Sequence, residues 1–234
     1  MLVRDELKPG EPAGRSRALF GVFVRRECWT LSRTARLVLL TFALAAAVTV
    51  WYGTYPFLAV NVPVDSDVLV IESWVPTHML NQVAAEFWRG HYQKVLVMRA
   101  TFGGPYGLIE GRDSGEYASN TLIKYGVPRN AVATVFYEAV DRDRTYHAAI
   151  AVKKWIDESG MAGKSLTVAT VGPHARRTRL MYMKALGDEV SLGMVALQDP
   201  LYDPKHWWRT SEGVRDIIGE TIAYLYARFF FSWA

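Results

Sequence analysis

The sequence predicts an α/β domain built on a doubly wound, mainly parallel five-stranded sheet with helices on both faces, preceded by one transmembrane helix. Three observations predict it. Short apolar runs at residues 67–71, 94–98, 131–136, 166–171 and 190–197 alternate with stretches of helical periodicity, the pattern of βαβ crossovers. A stretch without charge extends from residue 37 to residue 64, long enough to cross roughly 30 Å of hydrocarbon. The run at 166–171 passes directly into Gly172 and Pro173 and then a helix with His174, Arg176 and Arg177 in its first turns.

The chain opens with a basic arm, residues 1–36, containing Pro9, Gly10, Pro12 and Gly14 near its start. Residues 18–29 could form a short amphipathic helix on a membrane. Of the protein's 27 Lys/Arg and 23 Asp/Glu, the arm holds eight and four, leaving 19 of each sign beyond it. The net charge of +4 is therefore all in the arm. A nucleic-acid binder would carry its basic surface on the folded domain, so nucleic acid is not expected as a partner.

Residues 37–58 form the span, through which the chain would contact the lipid bilayer. Trp51, Tyr52 and Tyr55 suit the far headgroup layer, while Arg25, Arg26, Arg33 and Arg36 flank the near end. The positive-inside rule then holds the N-terminus in the cytoplasm and places the domain outside. The long preceding arm favours a retained signal anchor over a cleaved signal peptide, for which Ala45-Ala46-Ala47 would be the cutting site. Cys28, the only cysteine, falls on the predicted cytoplasmic side, so the domain has no internal disulfide.

The domain, residues 65–234, begins after the Asn61-Val62-Pro63 linker. Its first strand at 67–71 is apolar throughout, as for a parallel strand buried on both faces. Pro76 and Thr77 open a helix to about Gly90. The second strand, 94–98, leads to the Gly103-Gly104 turn, and a capping box of Asp113 and Glu116 starts the next helix, which Gly126 ends. The third strand, 131–136, precedes a helix over 144–159 that Asp143 would cap. The fourth strand feeds the Pro173 helix, with Pro173 at a position that needs no N–H, and the fifth is 190–197. A last helix over about 211–231 carries Arg215, Asp216, Glu220 and Arg228, too many charges for a second span. Its Ile217, Ile218, Ile222, Leu225 and Phe229 recur at helical spacing and would pack on the sheet.

In an open α/β sheet, ligands bind beyond the carboxyl ends of the strands at the switch point. The first and fourth strands should be neighbours there. The residues just past the strand ends are Glu72 and Ser73, Arg99 with Gly103 and Gly104, Glu138 to Arg144, and Gly172 to Arg177, with Arg144 and Thr145 in the first turn of the next helix facing the same crevice. Cations at a helix start, where the dipole is already positive, suggest an anion, and arginine adds a planar fork for phosphate or carboxylate. The candidate ligand contacts are Ser73, Arg99, Gly103, Gly104, Arg144, Thr145, Gly172, Arg176 and Arg177. His174, with Glu72 or Glu116 as the second titrating group, is the candidate for catalysis. Each has a structural alternative: Glu72 as the ion-pair partner of Arg99, Glu116 as a capping residue, His174 as a helix cap. No zinc-ligand spacing and no phosphate-loop, dinucleotide or nucleophile-elbow motif is present, so the sequence names no metal, cofactor or protein partner.

The order of the Gly103-Gly104 turn, the Glu116 helix, Gly126-Val127-Pro128, Arg144-Thr145-Tyr146, His174-Ala175-Arg176-Arg177 and Ala185-Leu186-Gly187 resembles the YdcF/SanA/ElyC-like domain family over residues 67–197. The single N-terminal span is similar to that of its membrane-anchored branch. The resemblance implies a Rossmann-like fold, a bacterial inner-membrane location with a role in the envelope, and a small anionic, nucleotide-like or glycan-precursor ligand, handled by an enzyme or a regulatory binding module. Two positions depart from the family's pattern: Glu72-Ser73-Trp74-Val75-Pro76 replaces a glycine-rich first turn, and Arg144 stands where asparagine is usual.

Overall fold

The computed structural model describes residues 17–18, 23–24, 30–72, 74–101, 114–138, 140, 142–160, 165–188 and 190–232. The chain divides into two compact units, Met1–Val48 and Thr49–Ala234. In the first, Arg17–Ala18 pairs antiparallel with Phe23–Val24. Of the stretch 18–29 expected as an amphipathic helix, Ala18, Phe23 and Val24 are extended, in keeping with the strand preference of Phe and Val, and the rest lies outside the described residues.

Helix α1 (Arg33–Leu58) has 26 residues, about 39 Å at 1.5 Å per residue. It starts four residues ahead of the predicted span because the Ser32 hydroxyl accepts the Ala35 N–H at 3.1 Å and caps it. It is the one described helix long and apolar enough to cross a membrane.

The second unit holds the last turns of α1 and a five-stranded sheet: β1 (Val68–Ile71), β2 (Lys94–Thr101), β3 (Val132–Glu138), β4 (Ser165–Val171) and β5 (Ser191–Leu197). All pairings are parallel, in the order β3-β2-β1-β4-β5. Winding reverses between β1 and β4, the expected switch point, where Leu69 faces Val95 on one side and Thr167 on the other. The chain after α1 runs beside β5, with Val62 bridging Met194.

The connecting helices are α2 (Leu80–Arg89), entered through a 3-10 turn at Thr77–Met79, α3 (Ser114–Lys124), α4 (Arg144–Ser159), α5 (Ala175–Leu186) and α6 (Ser211–Phe229). The pleat sorts alternate strand residues into two cores. Val68, Val70, Leu96, Met98, Leu166 and Val168 pack with α4 and α5. Leu69, Ile71, Val95, Val97, Ala169 and Val171 pack with α2 and with Leu122 of α3. Both faces of the sheet are thereby covered, which is why the strands are apolar throughout.

Helix α6 departs from expectation. Gly213, Ile217 and Ala227 are buried, whereas Ile218, Ile222, Leu225 and Phe229 are exposed. Its inward seam is the row 213, 217, 220, 224 and 227: Ile217 and Tyr224 join Leu58, Tyr202 and Trp207 in a third cluster, while Ala227 packs into the core that the sheet shares with α4 and α5.

Candidate functional site

A cavity of about 1210 Å³ opens at the carboxyl ends of β1 and β4. Its floor follows from the register. One step beyond the Ile71–Ala169 pair lie Glu72 and Thr170, both turned to the α4/α5 side. The Thr170 hydroxyl donates to Glu72 Oε2 at 2.5 Å, and the Thr178 hydroxyl donates to the same oxygen at 3.3 Å. Glu72 is only 4% exposed. Two hydroxyl donors give this buried carboxylate the partners it requires.

The chain leaves β4 through a 3-10 turn, Gly172–His174, before α5. Gly172 has φ +29°, within reach of glycine, and a side chain there would meet the Tyr55 hydroxyl at 3.3 Å. The spacing i, i+3, i+4 then stacks His174, Arg177 and Thr178 on one helix face. From the other side, α6 presents Glu220. Its Oε1 lies 2.8 Å from His174 Nδ1, and the Arg177 guanidinium forks onto the carboxylate with Nε on Oε2 at 2.8 Å and Nη2 on Oε1 at 3.0 Å. Arg177 Nη2 is also 2.8 Å from Nδ1. Since the guanidinium can only donate and the carboxylate only accept, the arrangement that satisfies all three has Nδ1–H donating to Glu220 and Nη2 directed to Oε1.

His174 Nε2 then faces Glu72 Oε2 at 3.6 Å, buried and without a hydrogen bond. Trp74 packs edge-on against the imidazole, ring centroids 4.5 Å apart. Burial opposes charge on Glu220, but the hydrogen bonds from His174 and Arg177 outweigh it and hold its carboxyl down at about 2. Burial also opposes charge on Arg177, and the Glu220 carboxylate more than compensates, so the guanidinium is raised from its ordinary value.

Asp143 precedes α4 with φ 54° and ψ 33°, a left-handed conformation that costs a non-glycine residue about 1 kcal/mol. Its side chain does not cap the helix as expected. Instead it lines the cavity, while its carbonyl accepts the Tyr146 N–H at 2.9 Å. Arg144 and Thr145 line the same wall, Arg144 exposed and without an ion pair among the described residues. Opposite them stand Arg215 and Asp216 of α6. Burial raises the Asp216 carboxyl, with Arg215 opposing the shift and Asp199, Glu220 and Glu212 adding to it.

No protein-family model, curated protein or solved structure matches the chain.

The structure thus brings together Glu72, Arg144, Thr145, His174 and Arg177 from the expected set. It removes four others from the cavity wall. Arg99 lies on the opposite face of the sheet from Glu72, with its guanidinium 5.1 Å over the Phe136 ring, so the two do not form the expected alternative ion pair. Glu116 sits on the exposed surface of α3, away from the cavity. Arg176, one position off the His174–Arg177 face, points to α1, bonding the Phe57 carbonyl and stacking over its ring at 3.9 Å. Gly172 supplies the turn but no wall. Ser73, Gly103, Gly104 and the capping Asp113 lie outside the described residues.

Glu220, Thr170, Thr178 and Trp74 belong to the cavity or its floor and were not among the candidates, whereas Asp143 lies in the 138–144 stretch expected at the crevice. Glu220 was legible in principle: it falls on the 213, 217, 220, 224, 227 row, and a carboxylate on a packing seam needs a partner.

Proposed function

We propose that this chain is a membrane-anchored bacterial envelope protein whose cavity binds a small polar ligand carrying one anionic group, phosphate- or glycan-precursor-like, and that Glu72 and His174 exchange a proton with it. The observation that carries the reading is the buried, unpartnered His174 Nε2, 3.6 Å from a carboxylate oxygen, with the other ring nitrogen fixed by Glu220. A base whose far nitrogen is oriented by a carboxylate is the arrangement acid–base catalysis uses, and such contacts are often long before substrate binds. Among the described residues, the Glu72 side chain takes its hydrogen bonds on Oε2, which leaves Oε1 to accept from a ligand hydroxyl or water. Arg177 is occupied by Glu220 and Arg215 lies 3.8 Å from Asp216, so Arg144 is the cavity cation that would meet the anionic group. Proton transfer to or from an attacking or leaving oxygen would serve hydrolysis or group transfer on a phosphorylated or glycosylated precursor.

The assignment to the membrane-anchored branch of the YdcF/SanA/ElyC-like family rests on the residue pattern at 145–146 and 174–177 and on the single N-terminal apolar run. Arg25, Arg26, Arg33 and Arg36 support a cytoplasmic N-terminus. Reporter fusions after Val60 should then be active only outside the cytoplasm, and protein found soluble without its first fifty or so residues would refute the anchor.

A regulatory module that binds without reacting is the second reading, favoured by the Arg177–Glu220 fork, which ties down one of the cavity's charged pairs. Full-length protein incubated with sugar phosphates and nucleotide sugars separates the two. Turnover lost in His174→Gln and Glu72→Gln with binding retained supports catalysis. Binding without turnover in the unmutated protein supports the module.

A further inference from the structure

Helix α6 has two apolar rows. The inner one packs within the domain. On the opposite side Ile218, Ile222, Leu225, Tyr226 and Phe229 repeat at three- and four-residue spacing and remain exposed, Ile222 at 64% and Phe229 at 71%. An outward helix face in a soluble domain would be charged, so an uninterrupted apolar one marks an interface.

The residues that lead into α6 touch the end of the spanning helix. The Trp51 ring is 4.8 Å from that of Trp207 and 5.7 Å from that of Trp208, and the Tyr52 ring meets Trp208 at 5.3 Å. Trp and Tyr at the end of a span sit at headgroup depth. Trp207 and Trp208 touch them and so share that depth, and α6 starts three residues later behind its Thr210 cap. Exposed cations edge the same region: Lys205 and Arg209, and Arg228, whose guanidinium lies 5.9 Å over the Phe229 ring. Apolar rings with basic groups at their margin fit an anionic bilayer surface, the aliphatic stems lying along the apolar zone and the charges reaching the headgroups.

We propose that α6 docks on the bilayer as an interfacial helix, giving the protein a second membrane contact beside its span. The inference rests on the reading of α1 as an anchor. Because Arg215, Asp216, Gly219 and Glu220 on another side of α6 line the cavity, docking would fix one cavity wall against the membrane.

The test uses the full chain carrying Cys28→Ser, with single cysteines at Ile222→Cys, Phe229→Cys, Ala45→Cys or Lys153→Cys. Each is spin-labelled and placed in vesicles of phosphatidylethanolamine and phosphatidylglycerol. Collision with oxygen, which concentrates in lipid, is compared with collision with an aqueous nickel chelate. The expected result is an oxygen-to-nickel ratio at positions 222 and 229 several-fold above that of Lys153→Cys and approaching that of Ala45→Cys. A water-like ratio at 222 and 229 with a lipid-like one at 45 overturns docking while the anchor stands. Shielding from both reagents with spin–spin broadening means a second copy covers the face, and also overturns it. A water-like ratio at 45 overturns the anchor, and this inference with it.

Discussion

Glu220 and His174 are 46 positions apart and share a hydrogen bond of 2.8 Å between Oε1 and Nδ1, the link that ties α6 to the start of α5. The helix N-terminus expected to attract an anion is thus met by one from the chain itself. This internal carboxylate takes up Arg177 and orients His174 toward Glu72.

Removing that anion should therefore cost both stability and function. Glu220→Ala leaves a half-buried guanidinium and an imidazole without their acceptor, and about 2 kcal/mol of stability should be lost, by analogy with the 3–5 kcal/mol for fully buried pairs. Thermal melting of the full-length protein checks this, and an unchanged midpoint would mean that the fork contributes nothing.

Acid should act through the same group. The Glu220 carboxyl titrates near 4.5 when unfolded and near 2 when folded. Its contribution is complete above about pH 4.5 and is lost as pH falls toward about 2. Asp216, raised by burial, opposes this with the reverse sign, since its protonation in the fold relieves a cost. The melting temperature should fall more steeply between pH 5 and pH 3, about the range in which such carboxylates titrate, in the unmutated protein than in Glu220→Gln. Equal slopes would remove Glu220 from the acid response.

Thr170→Val keeps the side-chain shape and deletes the 2.5 Å donor to Glu72. Leaving a buried carboxylate one donor short should cost about 1–3 kcal/mol and weaken any activity that depends on the position of Glu72. A melting midpoint equal to that of the parent would show that Thr178 alone suffices.

Arg144→Ala and Arg177→Ala should differ. Arg144 is exposed without an ion pair among the described residues, so its loss should change stability by less than about 0.5 kcal/mol while lowering affinity for inorganic phosphate by calorimetry. Arg177→Ala should destabilise through Glu220. Phosphate binding unaffected by Arg144→Ala would refute its role.

Gly193→Ala tests the packing of the linker. A methyl there would lie 2.6 Å from Thr167 Oγ1 and 2.6 Å from the Val64 backbone nitrogen. Backbone cannot yield as a flexible side chain does, so a loss of about 1–3 kcal/mol is expected, and wild-type melting would show that the linker is loosely held.

The sequence alone determined the sheet, its central pair of strands and the N-terminal helix long and apolar enough to cross a membrane. Local chemistry specifies these: continuous apolar runs make strands buried on both faces, and a charge-free run of more than twenty residues has few other uses. It also placed Glu72, Arg144, His174 and Arg177 at strand ends and helix starts, where topology makes them converge. Tertiary structure decided which faces these side chains share. The pleat put Arg99 on the far side of the sheet from Glu72, and a one-residue offset along α5 turned Arg176 to Phe57 while Arg177 met Glu220. It also decided which of two apolar rows on α6 packs inward, because both have helical periodicity and the neighbours that select between them, Leu58, Tyr202 and Trp207 among them, are brought there only by the fold.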